Sequence, residues 1–170
     1  MLLANETVAA HLRGRGLPCL YRVHEPPDAD RLRDLNAFLQ TLGYGFSVAA
    51  AAQPRALQRV TERASGTPEE GVVSRLMLRA MQRARYDARP LGHYGLALAN
   101  YCHFTSPIRR YPDLMVHRIL KWQLHGGLTP ARLERLRGAL PALAAQMSAA
   151  ERTAMEAERA ADDLKLCEYM

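Results

Sequence analysis

Long apolar runs and paired cysteines are both missing from this sequence, and each absence excludes a class of protein. No uninterrupted apolar stretch approaches the roughly 20 residues that a membrane-spanning helix requires, so no membrane association is expected. The first residues have no basic region ahead of a long apolar core, which argues against a secretory leader. Three widely spaced cysteines predict reduced thiols in a cytoplasmic protein, not a disulfide framework or a zinc site.

Clusters of metal or phosphate ligands are scarce as well. The histidines lack the tight spacing of a metal site, and residues 14–16 (GRG) lack the lysine of a phosphate-binding loop. Asp28 and Asp30 lie in a proline-rich turn, and Asp162 and Asp163 lie in a helical terminal stretch. The sequence therefore contains no run of closely spaced aspartates.

Positive charge is present in excess and is almost entirely arginine. The net charge is +6 with a pI near 9.6, and Lys121 and Lys165 are the two lysines. Such a surplus favours an anionic partner, and arginine suits bidentate contacts to phosphate. The alternative is that so much arginine beside so much alanine reflects a GC-rich genome.

The hydrophobic spacing predicts an α+β fold, predominantly helical with a few strands. Helices are predicted over residues 2–12, from Asp28 or Asp30 to Gly43, within 54–63, from about Thr67, from Pro112 to about Leu124, and from Thr129 onward. A strand is predicted at residues 19–23. Residues 94–104 are predicted as strand or extended core, with helix left open.

Residues 106–112 combine two prolines with two arginines. Pro107 and Pro112 restrict the backbone, so Arg109 and Arg110 are expected to be held on a stiff loop. The hydroxyls of Thr105 and Ser106 and the free N–H groups of the helix that begins near Pro112 complete a plausible phosphate cradle. On that helix, Asp113, His117 and Lys121 share one face, which Arg118 borders. The alternative is a solvated helix start, with Asp113 only favouring the helix dipole.

Four segments resemble a known family. Residues 103–118 (HFTSPIRRYPDLMVHR) closely resemble the signature of the ribonuclease II/ribonuclease R family. Residues 1–5 (MLLAN), 21–26 (YRVHEP) and 93–97 (HYGLA) resemble other parts of the same catalytic domain. The resemblance implies that residues 1–170 are the C-terminal portion of an RNB-type exoribonuclease domain. Both ends are expected to be truncated, and the flanking RNA-binding barrels to be absent.

The resemblance also implies roles for individual residues. Arg109 matches the family's catalytic arginine, which contacts the phosphate near the scissile bond and stabilises developing charge. The residues implied to contact RNA are His103, Thr105, Ser106, Arg110, His117, Arg118 and Glu158. His117 and Arg118 match the motif's end, where a supporting role is the alternative. Glu158 has Glu156 as a rival, and the alternative for both is a solvated helix face.

The activity implied by the resemblance is 3′→5′ hydrolysis of single-stranded RNA to nucleoside monophosphates. In that family an aspartate cluster holds magnesium ions that activate water and stabilise the leaving oxygen. Those aspartates precede the matching region, so the magnesium ligands are expected outside this chain. We therefore expect the chain to be inactive alone, with the missing N-terminal half of the domain as a partner. The alternative is a noncatalytic RNA-binding or assembly module.

Overall fold

The computed structural model describes all residues from Met1 to Met170, and 64% of them are helical. The elements in chain order are α1 (Leu2–Gly14), β1 (Tyr21–Val23), α2 (Ala29–Thr41), α3 (Pro54–Ala64), α4 (Glu70–Ala80), β2 (Arg85–Asp87), α5 (Tyr111–Leu124) and α6 (Pro130–Tyr169). Two short 3₁₀ turns lie at Ala50–Ala52 and Tyr94–Leu96. The prediction of a predominantly helical α+β fold with few strands is confirmed. None of the helices is long and apolar enough to cross a membrane.

Unit 1 is one of two compact units into which the chain folds. It comprises Met1–Arg22, Arg85–Pro90 and Asn100–Met170. Strands β1 and β2 form a two-stranded sheet, and α6 packs against β2 and α5. Its fully buried side chains include Leu12, Leu20, Cys19, Cys102, Val116, Ile119 and Leu140. Both of these cysteines are free thiols.

Unit 2 comprises Val23–Ala84 and Leu91–Ala99 and is built around three helices. Helix α4 packs against α2 and α3, and each helix buries an apolar face of helical spacing. The buried residues are Leu32, Leu35 and Leu39 in α2, Leu57, Val60 and Ala64 in α3, and Val73, Met77 and Ala80 in α4. Tyr94 closes this core, and its hydroxyl donates to the Ala51 carbonyl at 2.6 Å.

Residues 94–104, predicted as strand or extended core with helix left open, contain no regular strand. They begin with the 3₁₀ turn, Ala97 follows in the left-handed region at φ 55°, and Cys102 makes one isolated bridge to Tyr21. The partner of β1 is instead β2, which the sequence pattern did not predict. A three-residue strand is too short for apolar alternation to be visible, since that signal needs about four to eight residues.

Candidate functional site: an arginine loop before α5

The arginine loop, residues 105–112, is a tight turn that runs into α5. The backbone N–H groups of Arg109 and Arg110 both lie close to the Ser106 carbonyl, at 3.4 and 3.1 Å. Helix α5 begins at Tyr111 with Pro112 in its first turn, where proline costs no intrahelical hydrogen bond. Ile108 at the tip is fully exposed, and so the turn presents its outer residues to solvent.

Asp113 stabilises the arginine loop through hydrogen bonds from its buried side. Its side chain is completely buried, and Oδ1 accepts from the Ser106 backbone N–H and from the Arg110 guanidinium, each at 2.8 Å. Three other buried polar atoms have no hydrogen-bond partner: Thr105 Oγ1, Arg110 Nε and Asp113 Oδ2. The loop is therefore held by an internal ion pair, and polar atoms beside that pair remain free to form hydrogen bonds.

Asn5 in α1 fixes the segment that precedes the loop. The side chain is buried; Nδ2 donates to the Tyr101 hydroxyl at 3.0 Å, and Oδ1 accepts from the Phe104 N–H at 3.1 Å. The backbone carbonyl of Asn5 also accepts from the Cys102 thiol at 3.4 Å. One residue thus satisfies three groups on the approach to the arginine loop, which fixes the loop's starting point.

His117 secures the same approach from the α5 side. Its Nε2 hydrogen-bonds to the Phe104 carbonyl at 2.9 Å. The imidazole also stacks on the Phe104 ring, with centroids 4.0 Å apart and planes 7° from parallel. These contacts give His117 a supporting role in the fold, which was the alternative that its position at the end of the motif left open.

His103 contacts a buried tyrosine beside a second ion pair. The Tyr86 hydroxyl and His103 Nδ1 are hydrogen-bonded at 3.0 Å. Arg22 lies 4.8 Å from the centre of the Tyr86 ring and forms an ion pair with Glu151 at 2.5 Å. Burial raises the pKa of Tyr86 to about 12, with Arg22 opposing the rise and Glu151 adding to it. Tyr86 therefore remains protonated at neutral pH.

The residues predicted to contact RNA divide into two groups. His103, Thr105, Ser106, Arg110 and His117 are partly buried. Ser106 and Arg110 donate to Asp113, His117 contacts Phe104, and His103 bonds Tyr86. The side chains of Arg109, Arg118 and Glu158 are exposed.

The three exposed residues differ in what they contact. The Arg109 side chain projects from the loop without a hydrogen-bond partner. Arg118 lies on α5 with its guanidinium 4.0 Å from the Met115 sulfur. Glu158 lies on α6 and forms no ion pair, whereas Glu151, seven residues earlier, pairs with Arg22.

Four residues that build the site were not predicted from the sequence: Asn5, Arg22, Tyr86 and Glu151. Two of them carried a usable signal. Asn5 and Arg22 both lie inside segments that resemble the family, residues 1–5 and 21–26. Asp113 was placed on a shared face with His117 and Lys121, with a dipole role as the alternative, and neither interpretation predicted that it anchors the loop.

The carboxylates of this chain do not fit a magnesium site. Asp113 pairs with Arg110, and Asp87 pairs with Arg85 and Arg89. Burial acts to raise the pKa of Asp87, but hydrogen bonds from Arg89 and Arg85 outweigh it and lower the pKa to about 2. No three His, Cys, Asp or Glu side chains converge anywhere in the described chain.

Unit 2 contains a groove of about 410 Å³ near His24 and His93. Its lining is apolar and basic; Arg55 is its only charged side chain, and no carboxylate lines it. His24 is engaged on both ring nitrogens, with Nδ1 accepting from the Gly95 N–H at 3.0 Å and Nε2 bonded to the Gln82 carbonyl at 2.8 Å. The groove therefore offers no carboxylate for acid–base or metal chemistry.

The positive charge is concentrated in the unit that holds the arginine loop. Unit 1 carries 15 of the 23 Lys and Arg residues and 10 of the 17 Asp and Glu residues. Unit 1 therefore holds five of the six surplus positive charges, which favours an anionic ligand on this unit.

Comparison with known proteins identifies a family. A family model described as the RNB domain matches residues 1–126. Ribonuclease R of Aquifex aeolicus is 47% identical over 170 residues, which is 100% of this chain and 24% of that protein. The chain spans about a quarter of the length of the curated relatives it matches.

Solved structures give the same result. RNase R of Mycoplasma genitalium, in complex with ribose methylated single-stranded RNA, matches with a TM-score of 0.87 and 30% identity over 96% of this chain and 26% of that chain. Yeast Ssd1, a pseudonuclease, matches with a TM-score of 0.68 and 30% identity over 79% of this chain and 17% of that chain. The chain therefore belongs to the RNB-domain family of ribonuclease R, and it corresponds to part of an RNB domain.

Proposed function

We propose that this chain is the RNA-phosphate-binding part of a 3′→5′ exoribonuclease that releases nucleoside monophosphates from single-stranded RNA. The observation that carries the proposal is the state of Arg109, an exposed guanidinium without a partner on a loop anchored from three sides. Its place within a signature of the ribonuclease R family gives this cation the catalytic role that the resemblance implies.

The physical basis of the proposal is preorganisation. The anchors at Asp113, Asn5 and His117 fix the loop before any ligand arrives, so less conformational entropy is lost on binding. A fixed arginine can make two parallel hydrogen bonds to phosphate oxygens and stabilise charge that develops there during hydrolysis. The RNA complex of the Mycoplasma genitalium relative supports RNA as the ligand class.

We further propose that the magnesium required by the whole enzyme is bound by residues outside this chain. The two buried aspartates of unit 1 are already neutralised by arginines, so they are poor candidates for holding a divalent cation. The chain on its own should bind RNA without cutting it. The preceding part of the catalytic domain is then the partner that completes the enzyme.

A noncatalytic RNA-binding or assembly module is the second candidate. Two observations favour it: no carboxylates cluster in the chain, and the chain resembles the pseudonuclease Ssd1. In this case too Arg109 would bind phosphate. The two candidates differ in whether the polypeptide that contains this chain hydrolyses RNA.

The test uses the purified chain with a 5′-labelled single-stranded RNA, with magnesium or with a chelator. Arg109→Ala is compared with Arg33→Ala, an exposed arginine in unit 2 that is paired with Asp30. We expect intact RNA in every reaction and binding about tenfold weaker in Arg109→Ala alone, since a hydrogen bond to a charged group is worth about 1.5–3 kcal/mol.

Two results would contradict parts of this proposal. Magnesium-dependent shortening from the 3′ end that Arg109→Ala abolishes would place catalysis within the chain itself and refute the idea that its metal ligands lie elsewhere. Binding that Arg109→Ala leaves unchanged would remove the phosphate-binding role altogether.

A further inference from the structure

Two adjacent arginines near the tip of the loop differ in whether they form an ion pair. The Arg109 side chain is exposed and unpaired. The Arg110 side chain is 20% exposed and forms an ion pair at 2.8 Å with the fully buried carboxylate of Asp113. The sequence predicts that both cations contact RNA, whereas the fold gives only one of them an internal counterion.

We infer that Asp113 is a built-in anion that masks Arg110, so that only Arg109 of the pair is a phosphate ligand. The inference rests on the proposed RNA binding and deepens it by assigning which cation contacts the ligand. Asp113 acts as a positioning residue, since it contacts the loop and not the RNA.

The contacts of Asp113 place its carboxylate where a bound anion was expected. The predicted phosphate cradle consisted of Arg109 and Arg110, the hydroxyls of Thr105 and Ser106, and free N–H groups at the start of α5. Asp113 Oδ1 already accepts from Arg110, a member of that cradle, and from the backbone N–H of Ser106 beside it. An RNA phosphate could reach these donors only by displacing a carboxylate that belongs to the protein.

Displacement by RNA is unfavourable because Asp113 is completely buried. Removing Arg110 from it would leave a desolvated negative charge without its counterion, which is costly inside a protein. A phosphate at the surface offers Arg110 a weaker interaction, because water and salt screen exposed ion pairs. Arg110 therefore remains with Asp113, and an approaching phosphate meets Arg109.

The inference is tested by the salt dependence of RNA binding, which counts phosphate contacts. For single strands, the slope of log affinity against log salt changes by about 0.7 per contact. The full chain is titrated with a fluorescent single-stranded oligonucleotide at several salt concentrations. We expect Arg109→Gln to make the slope shallower by about 0.7 and Arg110→Gln to leave it unchanged.

The decisive variant is Asp113→Asn, which keeps the shape and the Oδ1 acceptor but removes the charge. Unmasked Arg110 should then engage phosphate, so the slope should become steeper by about 0.7. Asp113→Asn combined with Arg110→Gln should return the slope to the wild-type value. A purely structural role for Asp113 would weaken binding without producing this additional contact.

Failure of the inference can be distinguished from failure of the proposed function. If the wild-type chain shows no salt-dependent RNA binding, the proposed function fails. Masking is then decided without RNA, by hydrogen exchange at the Arg110 Nη2 protons, which donate to Asp113 Oδ1. These protons should exchange faster in Asp113→Asn, and an equal rate in the two proteins overturns masking. If RNA binds and Arg110→Gln lowers the slope as much as Arg109→Gln, masking is likewise wrong. If either single variant does not fold, Asp113→Asn combined with Arg110→Gln is compared with Arg109→Gln, because the double variant leaves no buried charge unpaired. Masking predicts the wild-type slope in the double variant and a slope shallower by about 0.7 in Arg109→Gln.

Discussion

Asn5 and Tyr101, 96 positions apart, are joined by a buried hydrogen bond of 3.0 Å. The same amide accepts from the Phe104 N–H, so a residue in the first turn of α1 sets the position of the segment leading to the arginine loop. Such a contact links the stability of unit 1 to the geometry of its candidate site.

Asn5→Ala should therefore destabilise the chain. The substitution leaves the Phe104 N–H without its acceptor, and an unsatisfied group of this kind costs about 1–3 kcal/mol. Urea unfolding measures the change, with Asn100→Ala as the control, because Asn100 bonds Arg13 at an exposed site. We expect the control to stay within about 0.5 kcal/mol of wild type. Equal losses in the two variants would contradict this role for Asn5.

The ion pair between Arg22 and Glu151 should contribute more than an exposed pair. The Arg22 side chain is 14% exposed and also covers the Tyr86 ring, so Arg22→Ala removes an ion pair and a cation–π contact together. We expect a loss of about 1–2 kcal/mol. The comparison is Lys165→Ala, which breaks the exposed pair with Glu168 and should cost less than about 0.5 kcal/mol. Thermal unfolding of both variants measures the losses of stability. A larger loss in Lys165→Ala than in Arg22→Ala would contradict the prediction.

Asp87 should make the chain sensitive to acid. Its pKa is about 2 in the folded state against an ordinary value of 3.8, because Arg89 and Arg85 stabilise the charged carboxylate. A lowered folded-state pKa contributes stability that is present above about pH 4 and lost as the pH falls toward 2. The contribution is about 2 kcal/mol, and Asp87→Asn should remove that part of the pH dependence. Denaturant midpoints from pH 5 to pH 2 measure it, and an unchanged acid profile in Asp87→Asn would refute the assignment.

Gly95 should tolerate no side chain, in contrast to a glycine in α6. A Cβ on Gly95 would lie 2.8 Å from His24 Nδ1, the atom that accepts the Gly95 N–H. Gly95→Ala should cost about 1–3 kcal/mol through this overlap. Gly138 is in a helix interior with nothing within 4 Å, so Gly138→Ala should stabilise by about 0.5–1 kcal/mol. Calorimetry of both variants checks that their stabilities change in opposite directions. An unchanged stability in Gly95→Ala would show that His24 can move aside.

Periodic patterns were the part of the fold that sequence could predict. Helices α2, α3 and α4 each bury residues at helical spacing, and α3, α5 and α6 begin at or next to the expected prolines. Each of these signals is contained in a window of about a dozen residues. Strand β2 and the turn at Tyr94–Leu96 were missed because elements of three residues leave no measurable period.

The sequence indicated where the candidate site lies but not which of its side chains form ion pairs and hydrogen bonds. The motif around Arg109 and the family signature were visible in one continuous stretch of sequence. Nothing in that stretch showed that Arg110 is paired while Arg109 is free, because both are arginines at consecutive positions. Burial of Asp113 made the difference, and burial is a property of the folded chain.

The sequence by itself determined the helical pattern, the arginine surplus and the family, since each is encoded in local spacing or in contiguous motifs. Only the tertiary structure decided that Asn5 holds residues 101–104, that Arg22 pairs with Glu151 across 129 positions, and that Asp113 occupies the predicted cradle. Hydrogen bonds and ion pairs act over about 3 Å in space regardless of separation along the chain. Which partners meet is therefore fixed by packing, and no local pattern records it.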